Sequence, residues 1–353
     1  MAKNVSVLSF FLTATMPSVI CIIDVNLRES RACVKMQSRE NWIDNVKIFA
    51  CILVATGHFF QSMCASAILQ ASVLYEWFNR TIYYFHVPLF FICSGYVYQK
   101  YSQVRSFVAW KHHVLKKLLT LGVPYFVFSL ITWGMKKIFS GEVNAEVHSL
   151  GYDLFIHPLS PYWYLFAIFF IFLITGTFAN RKACAIGLVA AAILRILSKV
   201  VDCYAVQIVL DNLIWFVLGM AACVCDFPAA AAKLKWWAWI AAGAFLLLSL
   251  TRWSHISFLM GLLACGAIMV MFARMDGKPG ALAEYTMPVF LMHTIFAAGI
   301  RTVLLKMGIT APAIHVTLGM VASIGGPIVA AEVMKKIKLD ILYQPGKYIK
   351  LKK

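Results

Sequence analysis

Long apolar runs separated by short polar breaks dominate the chain. Ten such runs approach the ~20 residues that a spanning helix needs. They lie near 46–66, 81–98, 118–138, 160–179, 183–200, 205–224, 236–251, 253–272, 286–305 and 312–333. The seventh is short, and its separation from the eighth rests on Arg252. The runs are continuous and do not alternate with period two, which argues for helices over barrel strands. The pattern predicts an all-α, polytopic integral membrane protein with about ten transmembrane helices in one bundle. A further uncharged stretch, 4–23, is long enough to span but carries Pro17 at its centre. Residues 1–41 therefore read as an N-terminal extension: an eleventh helix, or an over-extended start with Met36 as the true first residue. The transmembrane domain is expected over 42–335, followed by a basic tail, 336–353.

Composition narrows the class. The chain is 61% hydrophobic and 13% charged, against roughly half and a quarter for soluble domains. That excludes an ordinary soluble fold, and disorder with it. The net charge is +17, from 32 Lys+Arg and 15 Asp+Glu. With the segment before the first run placed in the cytoplasm, 23 of the basic residues fall in cytoplasmic breaks and 8 on the other side, Lys47 being the remaining one. This bias predicts a multi-pass cell-membrane protein with both termini cytoplasmic. It also accounts for most of the charge, so nucleic acid is not expected as a partner. Most cysteines fall inside the runs, where they act as small apolar residues. Cys223 and Cys225 form a CxC rather than paired CxxC motifs, and no metal site is expected.

Ionisable groups within spans are costly and are functional candidates by default. They are Lys47, His58, His86, Asp211 and His293. Lys47 and His58 are eleven residues apart, three helical turns plus about 20°, which places them on one face and ~16 Å apart along the axis. Asp44 stands one turn before Lys47. A cation near the cytoplasmic mouth and a deep imidazole suit an anionic substrate with a reactive end. A snorkelling lysine and a carbonyl-bonded histidine would look the same in sequence.

The motifs around these residues carry a resemblance. The stretch from Trp42 to His58 resembles the opening helix of the acyltransferase-3 family of membrane O-acyltransferases, Asp-x-x-(Arg/Lys), ten residues, then His. Phe85-His-Val-Pro-Leu-Phe-Phe-Ile-Cys-Ser-Gly95 is similar to the family's His-Met-Pro-Leu-Phe-Phe-x-x-Ser-Gly. Pro161-Tyr-Trp-Tyr-Leu165 resembles Pro-x-Trp-Phe-Leu, and Met287-Pro-Val-Phe-Leu-Met-His293 resembles Tyr-Pro-x-Tyr-Leu-x-His. The four occur in order over about 42–295, and the match beginning at Trp42 favours the over-extended start.

The resemblance implies acetyl-CoA as a co-substrate from the cytoplasm, with no tightly bound cofactor. It implies a carbohydrate hydroxyl as acceptor, commonly of a cell-envelope or exported glycan. His58 would deprotonate that hydroxyl or briefly carry the acyl group. Lys47 would position the donor with Asp44. Lys47 stands where the family more often has Arg, which keeps the charge and loses the bidentate fork. Arg105, Lys116 and Lys117, in the basic break 100–117, either meet CoA phosphates or are simple topology charge. His86 orients His58 or the acceptor, or only packs. Ser94 reads as a substrate contact or, with Gly95, as a close helix contact. Trp163 reads as an interfacial anchor or a sugar platform. His293 is a candidate for the same site, and Asp211 is expected to hydrogen-bond helix to helix. Many relatives carry a fused esterase-like domain; here the membrane domain would act alone or with separate envelope-glycan assembly proteins. The rival reading is a transporter or flippase for a glycan or small solute, for which repeats and paired broken helices would be expected. A sensor or scaffold that keeps the fold without catalysis is a third.

Overall fold

A computed structural model describes residues 40–102, 104–139, 148–251, 254–275 and 277–349. The N-terminal extension up to residue 39, residues 140–147, the Arg252 break and the last four residues of the basic tail lie outside the described residues. Among the described residues every regular element is helical.

In chain order the helices are α1 (Asn41–Ala65), α2 (Val73–Tyr83), α3 (His86–Tyr101), α4 (Phe107–Lys117) and α5 (Val123–Ile138). Then come α6 (Leu150–Phe155), α7 (Trp163–Ile174), α8 (Arg181–Leu197), α9 (Tyr204–Val224) and α10 (Phe227–Lys233). The last four are α11 (Lys235–Ser249), α12 (Ser257–Ala273), α13 (Thr286–Lys306) and α14 (Pro312–Lys336). Local chemistry sets several starts. Ser72, Ser106 and Asn180 accept from the backbone N–H three residues on, at 3.2, 3.2 and 2.9 Å, and so cap α2, α4 and α8. Pro88 sits in the first turn of α3, where its missing N–H costs nothing. A π-helical turn, Leu118–Gly122, joins α4 to α5 in one long helix.

Each of the ten apolar runs contains a helix, but among the described residues six helices are long and apolar enough to cross a membrane. A seventh span arises if the bent pair α10–α11, which turns by 84° at Leu234, is taken as one. The shortfall from ten has a local cause. The run 160–179 is helical only to Ile174, because the chain turns extended at Thr175. The run 81–98 is divided at Tyr84–Phe85, so α3 begins at His86 and is 16 residues long. Apolarity marks what must be hidden from water, and says little about where a helix stops.

The interior is built around α3, which packs on both α9 and α1, with α12 and α13 packed on α1. α3 and α9 touch through their backbones. A Cβ on Gly95 would stand 1.9 Å from the Phe216 carbonyl oxygen, and one on Gly219 would stand 1.9 Å from that of Ile92. Gly95 is therefore a close helix contact, as small residues in membrane helices allow. The segment after α14 folds back on the bundle. Asp340 and Tyr343 are buried there. The Tyr348 hydroxyl, with the Lys347 ammonium at 3.0 Å, holds the Asp340 carboxyl below the usual carboxylate range.

Candidate active site

α1 presents His58 to a cavity of about 640 Å³. α2 contributes Tyr83, α3 contributes His86, and the approach to α7 contributes His157 and Trp163. Arg195 and Lys199, from α8 and the turn after it, and Asp211 of α9 complete a polar wall. Three of the sequence candidates, His58, His86 and Trp163, thus share one hollow.

His293 stands behind it. It is buried, and its ring centroid lies 5.3 Å from that of His58. Its Nδ1 donates to the Val289 and Phe290 carbonyls, both at 2.9 Å. The Nε2 lone pair is left buried with no hydrogen-bond partner among the described residues. His86 is fixed in the same sense, with Nδ1 donating to the Ile82 carbonyl. The protein thereby assigns one tautomer to each ring and leaves both Nε2 atoms as acceptors. Tyr83 stands edge-on to both cavity histidines, at 4.6 Å from His86 and 6.5 Å from His58. Its hydroxyl donates to Gln61 Oε1 at 2.9 Å, and Gln61 lines the same cavity as His58. One turn beyond His58, Arg301 of α13 donates to the hydroxyl and carbonyl of Ser62, so α1 and α13 are clamped beside the paired imidazoles.

The other candidates lie away from this cavity. Lys47 and Asp44 are half-buried near the start of α1. Lys117 is also half-buried, close enough to Lys47 for their charges to interact. Its ammonium sits 3.7 Å from the centre of the Phe172 ring, a cation–π contact. Lys116 and Arg105 are exposed. Lys100, from the same basic break, pairs with Glu40. Ser94 shares a hydrogen bond with the Tyr164 hydroxyl at 3.2 Å, and Tyr164 packs against Phe90, Phe91 and Phe290. Among the described residues no cluster of His, Cys, Asp and Glu is arranged to hold a metal.

Sequence reasoning missed part of the polar wall. Asp211 does join two helices as expected, but as an ion-paired group on the cavity. Its carboxylate meets Arg195 at 3.3 Å and Lys199 at 2.9 Å. Arg195 and Lys199 are among the eight basic residues counted on the non-cytoplasmic side, and their spacing of four residues puts them on one helix face. Gln61, a neutral polar group one turn from His58 in an apolar helix, was the signal for the Tyr83 contact.

Comparison with known proteins places this arrangement. The chain is 24% identical over 155 residues to nodulation protein NolL of Mesorhizobium japonicum. That match covers 44% of this chain and 40% of the relative, so the chain spans less than half the length of the protein it resembles. No solved structure matches it. Residues 40–332, most of the sequence, match the acyltransferase-3 family, described as an acyltransferase domain. The chain belongs to that family.

Proposed function

We propose that the protein moves an acetyl or other short acyl group from acetyl-CoA to a carbohydrate hydroxyl at the cavity that contains His58. One observation carries the reading: α1 holds a half-buried cation at one end and a cavity-facing imidazole at the other. Coenzyme A has a matching form, an anionic nucleotide at one end of a flexible arm and a thioester at the other. Lys47 and Lys117 would hold the phosphates as charge-assisted donors. The thioester would reach toward His58, ~16 Å along the helix.

In this reading the acceptor hydroxyl gives its proton to a His58 ring nitrogen as its oxygen bonds to the acyl carbon. The carbon–sulfur bond breaks, and the proton passes to the departing thiolate to give free CoA. In the two-step variant, His58 itself takes the acyl group and releases thiol, and the acceptor hydroxyl then removes it. His293 and His86, each with a fixed tautomer, keep acceptor lone pairs around the reacting centre. Trp163 offers an aromatic face to a sugar ring. We read the ten apolar runs as ten crossings with both termini cytoplasmic, the shorter helices crossing with extended flanks. The donor end then faces the cytoplasm and the cavity faces out.

The test is to incubate purified protein in detergent with acetyl-labelled acetyl-CoA, with and without candidate glycans. Label on a glycan hydroxyl supports the reading. Label on protein in the absence of glycan selects the covalent variant. Absence of label from glycan, protein and released acetate ends the proposal.

A further inference from the structure

The cavity contains a charge arrangement that acyl transfer to a neutral sugar does not require. Arg195 and Lys199 both face it, and one carboxylate, Asp211, answers the two of them. Among the described residues no other carboxylate lines it. With imidazoles counted as neutral, the wall carries two cations against one anion.

A purely structural clamp between α8 and α9 needs only one cation. Arg195 already supplies it, through Oδ2 of Asp211 at 3.3 Å and through the Asp211 backbone carbonyl. The Arg195 guanidinium also lies over the Phe258 ring at 4.8 Å, which fixes its plane. Lys199 is different. Its side chain is 60% exposed, and among the described residues one of its three N–H donors is engaged, on Asp211 Oδ1 at 2.9 Å. Its one partner carboxylate is shared with Arg195, so the ammonium at the rim of the hollow keeps donors for a further anion. Nearby, the His157 and Tyr204 rings stack at 4.1 Å and 19°, and both line the same cavity. That pair gives the cavity that Lys199 lines an aromatic patch.

We propose that the acceptor is an anionic glycan, one whose carboxylate or phosphate is bound by Lys199 and Arg195 while its reacting hydroxyl faces His58. The proposal rests on the acyl-transfer reading and specifies its acceptor. Asp211 holds the two cations in place and sets their spacing. The excess charge selects substrates carrying the opposite sign.

The experiment uses the full-length protein in detergent with labelled acetyl-CoA and three acceptors of equal length. One is a uronate-containing tetrasaccharide, one is the same sugar with its carboxylates reduced to alcohols, and one is a phosphorylated neutral tetrasaccharide. The expected result is a kcat/KM at least about tenfold higher for an anionic acceptor than for the reduced one. The uronate and phosphate arms show which anion is preferred. Lys199→Glu should invert the ratio between anionic and reduced acceptors, and Lys199→Arg should keep it. Lys199 is exposed enough for both variants to fold, which size-exclusion profiles check. A preference for the reduced sugar, or equal damage by Lys199→Glu to all three acceptors and to donor KM, overturns the anionic acceptor alone. Absence of label from every acceptor, protein and released acetate overturns acyl transfer itself.

Discussion

The two ends of α1 are built on opposite principles. Around Lys47 the chemistry is charge: a half-buried ammonium, a second one at Lys117 against Phe172, and exposed Lys116 and Arg105 outside them. Around His58 the chemistry is protons: imidazoles, a phenol and an amide, with ring nitrogens oriented by backbone carbonyls. A substrate that needed only binding would find either end sufficient. One helix carrying both, on the same face, suits a substrate whose charge and whose reactive group are far apart.

The comparison breaks most visibly at the proton end. His58→Ala should lower acyl transfer by about 10²- to 10⁴-fold, the range lost with a general base, while the protein still accumulates in membranes. Initial rates of label transfer at matched protein levels check this, and wild-type turnover would remove His58 from the chemistry. Next in size is the charge end. Lys47→Ala should raise the KM for acetyl-CoA about tenfold to a hundredfold, as expected for loss of a charge-assisted contact, with Lys47→Arg close to wild type. An unchanged donor KM in Lys47→Ala would separate Lys47 from the donor. His293→Phe should lower kcat about tenfold with little change in donor KM, because it removes the buried Nε2 lone pair beside His58 and keeps the packing. A donor-KM effect there would blur the division between the ends. The smallest effect on chemistry belongs to Gly95→Ala. Its methyl group meets the Phe216 carbonyl, so it should cost stability by about 1–3 kcal/mol, read as a lower Tm. Activity per folded molecule should stay the same at both ends; a selective loss at one end would show that the helix crossing belongs to the site.

How much of this could be read beforehand depended on the kind of signal. His58, His86, Trp163 and His293 stand in motifs, and three of them line the cavity while the fourth packs behind His58. Lys47 and His58 were a pair on helical geometry alone. Arg195 and Lys199 were not legible as site residues, because a positive charge between apolar runs looks the same whether it faces lipid headgroups or a hollow. Their meaning comes from Asp211, which is twelve or more residues away and meets them only after α8 and α9 have packed. Ser94 was open between substrate and packing, and its bond to Tyr164 ties it to the aromatic interior. The helix interiors followed from apolarity, but their ends did not. Ile174 and His86 mark changes of backbone direction set by Thr175 and by the Tyr84–Phe85 break, which a hydrophobic average smooths over.

The glycine crossing of α3 and α9 has one more consequence. α3 carries His86 and α9 carries Asp211, so each supplies a different part of the cavity wall. Where each helix's glycine faces the other's carbonyl, sliding or tilting one past the other would drive backbone into backbone. A carrier that exposes its cargo alternately to two sides works by rocking such walls apart. This pair touches backbone to backbone and has no side-chain layer between its helices at its centre. In the proposed reaction such a crossing would serve as a fixed point while the acyl group alone changes hands.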